Sequence, residues 1–234
     1  MADVRTPVST AVYDALRADI LGGRLAVGDG IPSERTLSER HAVNRHAVRE
    51  AVKRLQQAGL VQVSQGGATR VLDWSRTGGL ELLTDLPGAG DIGAVRAGYE
   101  LRACLAAEIA VRSAQRADDD ARDHLRARAA GLIAARQAGD DATLLKAYRE
   151  LWDVLVDASR NIAYRLAYNS LLAGEDTLRA AAIVFLRDEL HDAGTTEALI
   201  GAVLDGDQDA ARAAATMLTA RTLRALTLTE AAAP

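Results

Sequence analysis

The stretch IPSERTLSERHAVNRHAVREAVKRLQQAG, Ile31–Gly59, decides the fold. Pro32-Ser33-Glu34 opens a short helix: Ser33 is a good N-cap and the proline tolerates the helix start. The helix is expected to end near Arg40. Only His41-Ala42-Val43 separates it from a second helix beginning at Asn44, another good N-cap. That helix runs to Ala58, where Gly59 is the expected stop. Two helices joined by so short a turn form a helix-turn-helix. The phases agree. Val48, Val52 and Leu55 recur at core spacing, while Arg45, Arg49 and Lys53 form a separate basic ridge.

Upstream, Ser9 or Thr10 can cap a helix to about Leu21, closed by Gly22-Gly23, with Val12, Leu16, Ile20 and Leu21 as its apolar face. Arg24 to Ile31 reads as a loop. Downstream, Leu60–Ser64 alternates like a strand, Gln65-Gly66-Gly67 is a turn, and Ala68–Leu72 is the returning strand. A helix-turn-helix followed by a hairpin is a winged helix-turn-helix, which predicts double-stranded DNA as partner. Arginines on the second helix suit guanine edges or phosphate. Asn44 and His46 sit at its N-terminus, where base edges are met. Gln65, Gly66 and Gly67 at the wing tip let backbone approach DNA closely.

After Asp91 no strand signal survives. The chain becomes Ala- and Leu-rich at helical period, punctuated by Gly139, Gly174, Gly194 and Gly206. Helices are expected over about 91–115, 117–138, 141–159, 161–174, 176–193, 195–205 and 207–229. The fold class is therefore mainly α. Residues 1–74 form a winged helix-turn-helix, 75–90 a linker containing Pro87-Gly88, and 91–234 an all-helical bundle.

The 234 residues carry a net charge of -4, which argues at first against nucleic acid. Divided at Trp74, the charge is +2 before and -6 after, and Arg35–Arg54 alone holds six basic residues against two acidic ones. One cysteine excludes a disulfide framework. Cys104, mid-helix beside Leu105, is expected to be a buried, inert thiol. The longest apolar run, Ala180–Leu186, is too short to span a membrane, and the N-terminus lacks the apolar segment of a signal peptide. A cytoplasmic location follows. No nucleophile–base–orienter set or phosphate-cradling glycine loop is present, so an enzyme is not expected.

The residues Ile31–Ser38, Asn44–Ala51 and Leu55–Gly59 resemble the DNA-binding domain of the GntR family of transcriptional regulators, over roughly residues 8–72. The resemblance implies that Arg35, Arg45 and Arg49 are the main DNA contacts. Asn44 stands where the family often has Ser or Thr, and His46 where it is often small or polar; both bear on the operator read. Val95-Arg96…Glu100, Asp157–Asn161 and Gly206-Asp207…Ala210-Ala211 resemble the helical effector domain of the FadR branch, the FCD fold. Many such domains hold a metal. The aligned positions here are Tyr148, Trp152, Thr196 and Leu218, none a normal ligand, so neither metal nor other cofactor is expected. His124, four residues after Asp120 in a run of charges, reads as a solvated face.

Metal loss, with Gly67–Trp74, Thr77–Leu80 and Asn161–Tyr164…Asn169, is similar to the metal-less FadR-like branch, which implies a long-chain acyl-CoA effector and control of fatty-acid genes by a repressor. Tyr148 and Trp152, one turn apart, should share a cavity. Arg96 is the candidate for an anionic group, Tyr99 its neighbour, and Tyr164, Asn169 and Thr222 complete the expected effector site. A small organic acid remains an alternative effector. So does a ligand-independent protein whose Trp152 merely fills the core. Because one winged helix covers a half-site, a homodimer on an inverted repeat is expected, with the effector shifting the two reading heads.

Overall fold

The computed structural model describes residues 8–64, 68–80, 82, 92–177 and 179–232. The chain divides into two compact units, residues 1–90 and 91–234. In the first, α1 (Val8–Leu21), α2 (Glu34–Arg40) and α3 (Arg45–Gln57) precede β1 (Val61–Gln62), β2 (Arg70–Val71) and α4 (Trp74–Thr77). Val12, Leu16, Leu37, Val48, Leu55 and Leu60 are almost wholly enclosed and form its core. The expected phases of α1 and α3 are those observed, with Val52 half-buried at the edge.

The turn between α2 and α3 is tied by Ser38, whose hydroxyl donates to the Val43 carbonyl at 2.5 Å. Val43 N–H returns a bond to Ser38 at 3.1 Å. Ala42 takes φ +52 there, a left-handed position without glycine. The wing is shorter than the two five-residue strands expected: Val61 pairs with Val71 and Gln62 with Arg70, antiparallel. Its far edge is not free. The segment read as a loop before Ile31 joins β2 through a Gly30–Arg70 bridge and through Gly28 N–H to Val71 O at 2.9 Å. The hairpin tip, Gln65 to Gly67, lies outside the described residues.

The segment expected to be a linker from residue 75 begins as part of this unit. α4 was not anticipated; Thr77 donates to Gly59 O at 2.7 Å, and Leu82 is buried in the same core. Gly59, at φ +69, has the Thr77 carbonyl oxygen 2.2 Å from where a Cβ would stand.

The second unit is wholly helical among its described residues: α5 (Ile92–Arg116), α6 (Asp119–Ala138), α7 (Asp141–Ala158), α8 (Ile162–Thr177), α9 (Arg179–Leu190), α10 (Ala193–Asp205) and α11 (Gln208–Ala232). α5 and α11, the two longest, lie along one another; α6 pairs with α7, and α10 with α11. Gly139 and Gly206 end α6 and α10 in the left-handed conformation, as their positions suggested. Gly174 does not punctuate: it lies inside α8. Gly194 falls in the first turn of α10, two residues past the Asp192 cap, so the expected break lies just before it. The break between α7 and α8 falls at Arg160, with φ +50, where the expected helices 141–159 and 161–174 left it. Cys104 is exposed rather than buried. The packed face of α5 runs through Tyr99, Ala106, Ile109, Ala110 and Ser113, which turns position 104 outward.

Candidate nucleic-acid interface and sensor core

α3 begins where Asn44 accepts Ala47 N–H on its side-chain oxygen at 2.8 Å. This fixes the helix start and leaves the amide NH2 exposed beside it. Buried Ala47, Val48, Ala51 and Leu55 lock the inner face, so Arg45, His46, Arg49 and Lys53 project to solvent. Arg35 is exposed on α2, its side chain 3.9 Å from Glu39. Arg49 is not free-standing: its Nε donates to Glu34 Oε2 at 2.8 Å across the turn. Arg54, counted in the basic stretch, turns inward, its guanidinium 4.0 Å from the Tyr13 ring centroid and bonded to Thr10. The patch is thus five exposed cations of the six. A solvated helix face with cations one turn apart matches the needs of a major-groove reader.

In the helical unit Tyr148 and Trp152 share the inner face of α7, ring centroids 6.3 Å apart and edge-on. They line a small cavity of about 20 Å³ with Arg102, Arg149, Tyr168 and Glu175. That is room for one water. The Trp152 indole N–H lies beside the Tyr148 hydroxyl without an acceptor in hydrogen-bonding geometry. The guanidinium at this cavity belongs to Arg102. Arg96, expected to serve an anion, is engaged elsewhere: it donates to the Glu230 carboxylate at 2.6 to 3.0 Å and to Thr227 at 2.8 Å. Tyr99 is buried edge-on against Phe185, 6.4 Å between centroids, and is not among the lining residues. Tyr164 packs half-buried on the core, and Asn169 is exposed. Neither lines the cavity; on α8 the inward position is Tyr168, one residue before Asn169.

Thr222 does reach this centre, through a carboxylate that sequence reading missed. Glu189 is fully enclosed, and accepts from Arg102 at 2.6 and 3.1 Å, Tyr148 at 2.7 Å and Thr222 at 2.5 Å. Burial alone would raise its pKa, but the Arg102 charge and these donors hold it below the usual carboxylate range. Glu175, bonded to Arg149 at 3.1 Å and 3.7 Å from Arg102, goes the other way: burial raises its pKa and the two arginines offset this only in part. Burial, reinforced by the Glu189 charge, pushes the Tyr148 hydroxyl well above its usual range. The only local signal for Glu189 was an acid beside the buried positions Leu186 and Leu190. Arg102 lies 87 residues away, so pairing them required the fold.

The positions aligned with the family's metal ligands, Tyr148, Trp152, Thr196 and Leu218, are all buried, and Thr196 accepts from Arg136 at 3.0 Å. Among the described residues no group of three His, Cys, Asp or Glu side chains could hold a metal. His124 and Asp120 approach to 3.4 Å on the exposed start of α6. No described helix is long and apolar enough to cross a membrane.

The family profile described as "Bacterial regulatory proteins, gntR family" matches residues 8–71, and that of the "FCD domain" matches residues 97–221. Mce2R, an HTH-type transcriptional regulator of Mycobacterium tuberculosis, is 33% identical over 215 residues, covering 90% of this chain and 88% of its own. The Glc operon transcriptional activator of Escherichia coli is 36% identical over 76 residues, 32% of this chain and 30% of its own. Lar of Listeria monocytogenes, which controls expression of the agr system, superposes with a TM-score of 0.62 at 14% identity, covering 97% of this chain and 99% of its own; that likeness concerns the fold. With a winged helix-turn-helix and an FCD domain both matched, and a relative aligned over nearly its whole length, the chain belongs to the GntR family of DNA-binding transcriptional regulators.

Proposed function

We propose that this regulator works as a cytoplasmic homodimer that lays one α3 in each half of an inverted repeat and represses transcription there. The observation that carries the reading is the solvent face of α3, with Arg45, His46, Arg49 and Lys53 exposed behind the Asn44 cap. A two-fold dimer matches a palindromic site because one reading helix covers only a half-site. The test is a salt-dependent titration of a selected operator with Arg45→Ala and Arg49→Ala. Each is expected to cost about 1 to 3 kcal/mol if it reads a base, or to reduce the salt slope by about one if it holds a phosphate. Unchanged affinity in both variants would sink α3 as the reading helix.

The helical domain is proposed to sense a hydrophobic effector, with long-chain acyl-CoA as the leading class and control of lipid genes as its setting. The apolar wall of Leu145, Leu171, Leu172 and Leu186 supports an apolar chain over a purely polar effector, and the Arg102 guanidinium beside it is already paired with Glu189 and Glu175. Admitting an acyl chain requires Tyr148 and Trp152 to move, since the cavity holds about one water. The same small volume favours a second reading, a ligand-independent regulator whose core is complete as built. Thermal shift with acyl-CoAs, fatty acids and small organic acids separates the two. A shift with the first two supports sensing of an apolar chain, a shift with small acids alone redirects the effector class, and none supports the second reading.

A further inference from the structure

An acid on a surface that faces DNA is costly, because it approaches phosphates of like charge. Glu34 is such an acid. It sits in the first turn of α2, directly before Arg35, and its carboxylate reaches across the turn to Arg49 of α3, Nε to Oε2 at 2.8 Å. Its backbone is held by the Ser33 cap, which accepts Thr36 N–H at 3.2 Å and shares a 2.9 Å bond with the Thr36 hydroxyl. Both partners remain open to solvent, with side-chain exposures of 65% for Arg49 and 43% for Glu34. An ion pair so exposed adds about 0 to 1 kcal/mol to stability, and an acid in the first turn of a helix about 0.3 to 1 kcal/mol; neither accounts for its being aimed at Arg49.

The geometry points to Glu34 as a specificity-determining, positioning residue for DNA reading. This inference rests on the proposed role of Arg49. A guanidinium presents its donors in a planar fork. Glu34 takes the Nε side, and no other hydrogen bond to the Arg49 guanidinium occurs among the described residues. The terminal Nη1 and Nη2 are therefore left as a paired end, the arrangement that meets guanine N7 and O6 together. Restraint of the side chain before contact lowers the entropy lost on binding. The negative charge acts in the same direction. On the right sequence, Glu34 remains partnered while Arg49 spends its free end on a base. On the wrong one, Arg49 has no paired acceptors and the carboxylate still repels the phosphates. Specificity is a difference between these two complexes, so a group that penalises the second is as effective as one that favours the first.

The experiment selects binding sites from a random-sequence DNA pool with the full chain and with Glu34→Ala, Glu34→Gln and Arg49→Ala, then titrates each protein against its selected duplex and a scrambled one. Glu34→Ala is expected to lose base preference at the same position in each half-site as Arg49→Ala. Its binding to scrambled DNA should be unchanged or tighter, so discrimination falls by at least about fivefold. Glu34→Gln, whose amide oxygen still accepts from Nε, is expected to keep the base preference while binding scrambled DNA more tightly. A merely electrostatic role would raise both affinities together in Glu34→Ala and leave the base preference intact; that outcome, with Arg49→Ala impaired, overturns this inference alone. Arg49→Ala with an unaltered preference overturns the Arg49 reading and this inference together.

Discussion

Gly59 shows how one residue joins two elements. Its φ of +69 ends α3, and the Thr77 carbonyl oxygen lies 2.2 Å from any added Cβ. A helix stop was legible in the sequence; the close approach of α4 was not, because it depends on residues eighteen positions later. Gly59→Ala is expected to lower stability by more than about 1 kcal/mol, since strain and a backbone clash act together. Thermal melting of the purified variant checks it. Asn44 joins a cap to its proposed place at the DNA. Its oxygen caps α3 through Ala47 N–H at 2.8 Å, leaving only the NH2 for DNA. Asn44→Ala should cost about 1 kcal/mol of stability through the lost cap. Asn44→Asp should keep the melting temperature but weaken operator binding, because it caps equally well and adds a like charge beside phosphate. Equal melting of the wild type and Asn44→Ala would remove the cap from this account.

At the scale of elements, the helix-turn-helix was the most legible part. Its caps, its apolar phase and its glycine stop are all local, and local chemistry alone places α2 and α3. What escaped was whatever a second element decides. Arg54 counts by sequence in the basic stretch from Arg35, yet the Tyr13 ring on α1, 4.0 Å from its guanidinium, draws it inward. The loop before Ile31 becomes a sheet edge only because β2 offers it unpaired backbone groups. In the helical unit, Gly174 and Gly194 carry the usual mark of breaks. Gly174 lies inside α8 instead, where tertiary packing outweighs a propensity cost of about 1 kcal/mol, whereas Gly194 sits in the first turn of α10, beside the break. Arg96 and Arg102 show the same limit: α5 carries both, and only the neighbours of each determine which one meets Glu230 and which one Glu189.

At the scale of the molecule, the buried network around Glu189 links four helices of the second unit, since Arg102, Tyr148 and Thr222 bring α5, α7 and α11 to one carboxylate on α9. Removing one charge of such a pair strands the other. Glu189→Gln is expected to cost about 3 to 5 kcal/mol near neutral pH. The sign with pH follows from its depressed pKa: the carboxylate's contribution is full above the ordinary glutamate range and is lost as pH falls through the lower folded value. Glu175, with its raised pKa, opposes this, favouring the fold as its proton is retained. The gap in melting temperature between wild type and Glu189→Gln should therefore be widest near neutrality and narrow in acid. A gap independent of pH would show that Glu189 contributes shape rather than charge. The sequence by itself determined the two-part architecture, the helix-turn-helix and the basic stretch along its second helix, because periodicity, caps and local charge are written within a few turns of chain. Only the tertiary structure decided which cations stay exposed, which residues line the inner cavity and which carboxylates occupy the core, because those pairings join residues far apart in sequence and their energies depend on burial.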